Sequence, residues 1–200
     1  MAGIAQGIIE TANALGMNPV DLATIISYET AGTFSPTQAG PTTQWGQHRG
    51  LIQWGEPQAR QYGVDWNDPL GSQLGADGAI VRYYRDRGWQ PGMGMLDAYS
   101  IVNAGAPGRY GASDANNGGA PGTVADKVRD QMGGHRRNAL ALLGDYQSTG
   151  YQQQPAQPEA EPQRPELQLV DARMDPRAFY TNALAAPVRQ FTARNYLTGA

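Results

Sequence analysis

The composition of the chain changes abruptly after Tyr146, and this change limits how much of the chain can form a core. Residues 147–166 contain three consecutive glutamines and four prolines but almost nothing apolar. Because such a segment buries too little apolar surface to offset the entropy lost on ordering, we expect a disordered linker there. Residues 167–200 regain apolar and aromatic side chains, but they are too few for an independent core. We therefore predict one folded domain over residues 1–146, then the linker, then a short C-terminal tail that docks on a partner.

Apolar residues that recur at helical spacing predict a mostly α domain. One helix has a clear start, because Asn18 suits the N-cap and Pro19 the first helical position, and Gly32 marks its end. The other predicted helices span residues 4–15, 70–85, 95–103 and 124–143. No alternation of apolar and polar residues predicts a β-hairpin. The remaining chain forms long glycine-rich loops at 31–63 and 104–122, and loops of this length on a helical scaffold usually line a site or are disordered.

The composition excludes several functional classes. The chain has no cysteine, which excludes disulfides, thiolate metal sites and a cysteine nucleophile. Two histidines, His48 and His135, cannot alone complete a zinc site, so we predict no metal and no cofactor. A formal charge of −3 gives no broad electrostatic reason to bind nucleic acid or an anionic membrane. No apolar run reaches the length of a membrane span, and residues 1–15 lack the pattern of a secretory signal peptide.

Glu29 is the candidate catalytic residue, because its carboxyl stands at the end of an otherwise apolar helix. The helix C-terminus repels negative charge and the apolar neighbours desolvate it, so both effects favour the protonated form. Cleavage of a glycosidic bond requires such an acid, since the leaving oxygen must receive a proton as the bond breaks. On position alone, an exposed glutamate on the solvent face of the helix is the more common outcome.

Three further motifs follow Glu29-Thr30 along the chain. They are Phe34-Ser35-Pro36, Gly50-Leu51-Ile52-Gln53-Trp54 and Val102-Asn103-Ala104-Gly105. Their order and spacing resemble the motifs of the lytic transglycosylases, in which a glutamate followed by Ser or Thr closes a helix. The stretch from Tyr28 to Pro36 looks especially like the versions carried by bacteriophage virion proteins. The resemblance covers roughly residues 4–146 and implies a lysozyme-like helical domain that cleaves peptidoglycan.

The resemblance also implies roles for single residues. Glu29 would be the general acid and then the base, and Thr30 would help to hold its carboxyl. Gln53 would hydrogen-bond the substrate or Glu29, and Asn103 would lie on the opposite wall of the groove. Of the four tryptophans, only Trp54 is placed by a motif, so we predict that it stacks on a sugar ring.

One position departs from the family pattern. The family usually has a tyrosine immediately before the asparagine, close to the catalytic acid, whereas this chain has Val102. Tyr99, one helical turn earlier, and Tyr28, beside the acid, are the candidate replacements, although a tyrosine in either position more often packs in the core. We include Tyr99 among the predicted substrate-binding residues.

The carboxylates favour a non-hydrolytic reaction. A hydrolytic glycosidase normally has a second carboxylate opposite its acid, and the nearest candidates in sequence, Asp65 and Asp68, have no motif around them. We therefore expect Glu29 to protonate the bond oxygen and then to take the proton from the muramic 6-hydroxyl, which gives 1,6-anhydromuropeptides. The first alternative is a hydrolytic muramidase of the same fold, whose second carboxylate comes from a distant loop. The second is a catalytically silent structural or murein-binding virion component.

The tail favours a tethered enzyme. A catalytic domain on a flexible linker with a terminal apolar peptide, residues 167–200, suggests attachment to a larger assembly such as a phage particle. Such a particle would bring the domain to the glycan strands of the bacterial cell wall.

Overall fold

The computed structural model describes residues 3–144, and this part of the chain is mostly helical, as predicted. The helices are α1 (Ile4–Leu15), α2 (Pro19–Glu29), α3 (Glu56–Gln61), α4 (Ala79–Asp86), α5 (Met95–Ala104), α6 (Val124–Asp126) and α7 (Gly133–Leu143). Two strands, β1 (Ala39–Thr43) and β2 (Gly46–Arg49), pair antiparallel. A 3₁₀ turn covers Ala115–Asn117 and a π-helical turn covers Lys127–Gln131. The predicted linker at 147–166 and the predicted tail at 167–200 lie outside the described residues.

Helix α1 ends and helix α2 begins where their local signals place them, whereas α2 ends at Glu29, before the predicted Gly32. Gly16 follows α1 in the left-handed conformation, with a φ of 61°. The side chain of Asn18 accepts a hydrogen bond of 2.9 Å from the backbone N–H of Val20, and Pro19 occupies the first position of α2. Helix α2 packs against α1, α5 and α7, and its residues Leu22, Ala23, Ile25 and Ile26 are fully buried. Its last residue is Glu29, so the core fixes where that carboxyl stands.

The hairpin was not predicted, and the expectation that residues 31–63 form only a loop was wrong. The strands pair from Ala39 opposite Arg49 to Thr43 opposite Gly46, with a bulge between. Their side chains are half-buried or exposed on both faces, so no apolar alternation marks them. Side chains stabilise the pairing instead: the His48 ring contacts Thr43 Oγ1 and the backbone oxygen of Gln53, both at 3.0 Å.

The third predicted helix was too long, because only its second half is helical. Helix α4 begins at Ala79, whereas residues 70–78 form turns. Gly75 has a φ of 95°, and a Cβ on Gly78 would lie 2.6 Å from the backbone of Leu74. The chain therefore folds back on itself here in a way that a continuous helix does not allow.

The last predicted helix, 124–143, is broken into three pieces. Thr123 caps α6 in a capping box with Asp126, the π-helical turn follows, and α7 starts afresh at Gly133. The π-helical turn buries Lys127, which is 1% exposed, although only apolar residues were expected on the inner face of this helix. Within residues 3–144, no helix is long and apolar enough to cross a membrane.

Candidate active site

A cleft of about 1460 Å³ opens above the C-terminal end of α2. The hairpin and the loop before α3 form one wall, and the end of α5 with the loop that follows it forms the other. The π-helical turn closes one side through Lys127 and Gln131. Glu29 is half-buried and lines this cleft, as does a set of the other residues that the motifs singled out.

The surroundings of Glu29 keep its carboxyl protonated to higher pH than usual. The pKa of Glu29 is raised to about 7: burial is the largest cause, the negative charge of Asp114 adds to it, and the positive charge of Lys127 opposes both. Burial among apolar residues was predicted from the sequence, whereas the two charges were not. Near neutral pH, Glu29 is therefore available both to donate and to accept a proton.

Asp114 is the second carboxylate of the cleft, and sequence reasoning missed it. It comes from the 104–122 loop, far from Glu29 along the chain. It forms an ion pair with Lys127, and its other oxygen accepts a hydrogen bond of 2.6 Å from Asn103 Nδ2. The loop around it carries no motif that marks an active-site acid.

Asp65 and Asp68, the carboxylates considered from the sequence, cap local turns elsewhere. Asp65 Oδ1 accepts a hydrogen bond of 2.8 Å from the backbone of Asn67, and Asp68 Oδ1 accepts one of 3.1 Å from Gly71. Neither lines the cleft. They are structural residues of the loop before α4.

Thr30 does not hold the carboxyl of Glu29, which corrects the role that the resemblance implied. Its hydroxyl donates to the backbone oxygen of Ile26 at 2.7 Å and accepts from the backbone N–H of Phe34 at 3.0 Å. Thr30 is fully buried. Its side chain stabilises the chain reversal after α2, where Phe34 has an unfavourable φ of 54°.

Gln53 lies in the cleft wall but forms no recorded hydrogen bond with Glu29. Its amide nitrogen donates to the backbone oxygens of Gln38 and Gly50, at 3.2 and 3.1 Å. Its Oε1 is buried and has no hydrogen-bond partner among the described residues. A Cβ on Gly40 would lie 1.8 Å from this oxygen, so residue 40 must be glycine for the amide to sit there. Gln53 therefore holds a buried acceptor that no described group satisfies.

Trp54 is a core residue, and its position argues against the predicted stacking on sugar. The side chain is 2% exposed, its ring packs on Tyr62 and Tyr83, and its Nε1 donates to Gln73 Oε1 at 2.9 Å. The aromatic residue that faces solvent in the cleft is Trp45, at the tip of the hairpin, which is 56% exposed. Its exposure depends on the hairpin, so no local pattern distinguished it from the other tryptophans.

Tyr99 and Asn103 lie together on the α5 side of the cleft. Tyr99 is 1% exposed and packs edge-to-face on Tyr28, with 5.6 Å between ring centroids. Asn103 Nδ2 lies 3.4 Å from the hydroxyl of Tyr99. Asn103 Oδ1 is buried and, within residues 3–144, has no hydrogen-bond partner. Tyr99 is thus a packing residue beneath the site, whereas Asn103 lines the cleft and keeps one buried acceptor without a partner among residues 3–144.

We expect Glu29→Gln to stabilise the domain at high pH but not at low pH. The carboxyl has a folded-state pKa of about 7 against an ordinary 4.5, so its contribution is favourable below pH 4.5 and is lost as the pH rises through 7. Relative to wild type, the variant should gain about 1–3 kcal/mol at pH 8 compared with pH 4. Urea denaturation at both pH values measures this gain, and an equal difference at the two would contradict it.

Comparison with family models, curated proteins and solved structures found no match to this chain. In the part of the chain that the structure describes, no group of three or more His, Asp or Glu side chains is placed to hold a metal ion. The site is therefore defined by its own geometry: Glu29, Gln53, Asn103 and Asp114 share one cleft, with Trp45 at its rim.

Proposed function

We propose that this cleft cleaves the glycosidic bond between N-acetylmuramic acid and N-acetylglucosamine in peptidoglycan by non-hydrolytic transglycosylation. The observation that carries the proposal is a half-buried carboxyl with a pKa raised to about 7, standing in a large cleft. Such a carboxyl can protonate the leaving oxygen of a glycosidic bond near neutral pH. The sequence resemblance to lytic transglycosylases supports the same substrate.

The reaction needs only one acid and base. Glu29 donates its proton to the bridging oxygen as the bond to the muramic C1 breaks, and positive charge develops on that sugar. The ionised Glu29 then accepts the proton of the muramic 6-hydroxyl, whose oxygen forms the new bond to C1. The products are a 1,6-anhydromuramic end and a free 4-hydroxyl on the leaving sugar, and no water is consumed.

The size and polarity of the cleft suit a glycan strand. A volume of about 1460 Å³ exceeds the roughly 300–1,000 Å³ of most small-molecule sites. Gln53 Oε1 and Asn103 Oδ1 are buried acceptors without a partner among the described residues, so a rotation of either side chain into the cleft would let it receive an N–H or O–H donor, and amino sugars carry both. Trp45 presents an apolar ring face of the kind on which a pyranose stacks.

Hydrolysis by the same acid is the second candidate, and Asp114 is the observation that favours it. A hydrolase uses a second carboxylate either to attack the sugar or to activate water. Asp114 lines the same cleft as Glu29, but its oxygens are engaged by Lys127 and Asn103. Because both oxygens of Asp114 already have partners, neither is placed to attack the sugar or to activate water, and we place transglycosylation first.

The two reactions differ in the ends that they create. Hydrolysis produces one new reducing end for each bond cleaved, whereas transglycosylation produces none. Purified murein is incubated with the protein, and solubilised sugar is compared with new reducing ends. Solubilisation without new reducing ends supports the transglycosylase. One new reducing end for each released fragment supports the muramidase, and no solubilisation contradicts both.

We expect Trp45→Ala to weaken binding to murein by roughly fivefold, because an exposed aromatic face contributes on the order of 1 kcal/mol to a stacked sugar. The melting temperature should change little, since the ring is 56% exposed. Sedimentation with insoluble murein, in a Glu29→Gln background to prevent digestion, measures the affinity. Trp45→Tyr is the matched control and should retain most of the binding, and unchanged binding by Trp45→Ala would remove Trp45 from the site.

A further inference from the structure

The proposed reaction gives no role to the ion pair that Asp114 and Lys127 form in the cleft of Glu29. Lys127 is the only lysine of the chain, and its side chain is 1% exposed. A lysine buried in this way is costly unless it is paired, and its ammonium is paired with Asp114. The pair lines the same cleft as Glu29, so two opposite charges are held at the site.

The local structure fixes where these charges stand. The capping box of Thr123 and Asp126 sets the start of α6, and Lys127 opens the π-helical turn directly after it. The other end of that turn is Gln131, whose side chain accepts a hydrogen bond of 2.6 Å from the hydroxyl of Tyr28. Tyr28 directly precedes Glu29 on α2. The π-helical turn therefore contacts the residues around the acid at both of its ends, through Gln131 to Tyr28 and through Lys127 to Asp114.

The loop side of the pair is equally constrained. Asn103 Nδ2 donates to Asp114 at 2.6 Å, and a Cβ on Gly119 would lie 2.2 Å from the carboxyl of Asp114. Asp114 is therefore held between α5, its own loop and Lys127. Its side chain is 33% exposed, which leaves it accessible to solvent but not free to move away from the pair.

Five of the other ionisable groups around Glu29 carry little charge near neutral pH. Four are tyrosines from α2, α4 and α5, and burial raises the pKa of each: Tyr28, Tyr83, Tyr84 and Tyr99. Burial also lowers the pKa of His135, whose ring packs on Tyr28.

Two more ionisable groups line the cleft from other elements. His48 has both ring nitrogens engaged within the hairpin and the turn after it. Arg87 lies with its guanidinium 5.4 Å from the ring of Tyr83. Neither contributes to the shift of the Glu29 pKa, to which Asp114 and Lys127 both contribute.

We propose that Asp114 and Lys127 are a positioning pair whose opposite charges set the pH range in which Glu29 acts as an acid. This inference rests on the proposed function, since it concerns the acid of that reaction. The negative charge of Asp114 disfavours ionised Glu29, and the positive charge of Lys127 favours it. Removing either partner leaves the other uncompensated, so the two single substitutions must shift Glu29 in opposite directions.

The test is to follow the carboxyl of Glu29 by ¹³C NMR as the pH is changed, with labelled glutamate and Glu29→Gln for assignment. We expect Asp114→Asn to lower the titration midpoint of Glu29 by about one pH unit or more, and Lys127→Met to raise it by a similar amount. Lys127→Arg keeps the charge and should keep the midpoint within a few tenths of a unit. The pH at which murein cleavage falls should move with the midpoint in each variant.

The controls remove the same charges outside the cleft. Asp77→Asn and Arg60→Met change exposed residues, and we expect shifts of at most a few tenths of a pH unit. Shifts of the same sign for Asp114→Asn and Lys127→Met, or no shift in folded variants, would overturn the proposal. If Lys127→Met does not fold, Asp114→Asn decides alone. The NMR titration needs no turnover, so failure of the pair is distinguishable from failure of the proposed function.

Discussion

Glu29→Gln is expected to reduce the rate of murein cleavage about 10³-fold, within the range of roughly 10²–10⁴ that a positioned general acid contributes. Glutamine fills nearly the same space in the half-buried site but can neither donate the proton to the leaving oxygen nor accept one afterwards. The fold should remain, because the apolar face of α2 is unchanged. Initial rates of solubilisation measure the effect.

We expect the same acid to set the pH dependence of cleavage by the wild type. Glu29 must be protonated to begin the reaction, so activity should fall as the pH rises through about 7. The matched control is Glu10→Gln on α1, an exposed glutamate outside the cleft, which should cleave murein at the wild-type rate. Cleavage by Glu29→Gln at more than about a tenth of the wild-type rate would contradict the role of Glu29.

Gln73→Leu is expected to lower the free energy of unfolding by about 3–5 kcal/mol, the largest effect on stability that we anticipate. Gln73 is fully buried, and its Oε1 accepts hydrogen bonds of 2.9 Å from Leu51 N and from Trp54 Nε1. Its amide nitrogen donates to the backbone oxygens of Pro36 and Pro69. Leucine satisfies none of these four groups, and each then remains buried without its partner.

Urea denaturation measures this loss, and thermal unfolding should show a melting temperature lower by roughly 10 °C or more. Gln90→Leu is the control, since it makes the same change at an exposed position and should alter stability by less than about 0.5 kcal/mol. A loss below about 1 kcal/mol for Gln73→Leu would show that the cleft wall does not depend on this amide.

Helices with strong local signals could be predicted from the sequence. The start of α2 at Asn18 and Pro19 and the end of α1 at Gly16 depend on neighbours within a few residues. Such preferences act before any tertiary contact forms. The apolar residues that precede Glu29 on the same helix also indicated that its carboxyl is desolvated.

The hairpin and the turns before α4 could not be predicted, because they depend on contacts between residues that are distant in the sequence. The hairpin is stabilised by bonds of His48, and the turns before α4 close around Gln73. Gln73 reads as an ordinary polar residue of a helix until the structure places it among groups from residues 36–69. Hydrophobic periodicity carries no information about a polar side chain that binds four groups at once.

The site was predicted only in part for the same reason. Glu29, Gln53 and Asn103 are placed in one cleft, as the motifs suggested, whereas Trp54 belongs to the core. Asp114 and Trp45 reach the cleft through a loop and a hairpin whose paths no local pattern predicts. A buried lysine in a π-helical turn is equally hidden, because Lys127 looks like a solvated charge in the sequence.

The central claim is that Glu29 cleaves the glycan strand of peptidoglycan. The most direct test is to digest purified murein with the wild type and with Glu29→Gln and to weigh the released muropeptides by mass spectrometry. We expect wild-type products that lack one water at the muramic end and that disappear in the variant. Hydrated products that depend on Glu29 would make the chain a muramidase, and the absence of products from the wild type would contradict the claim and leave a structural or murein-binding role.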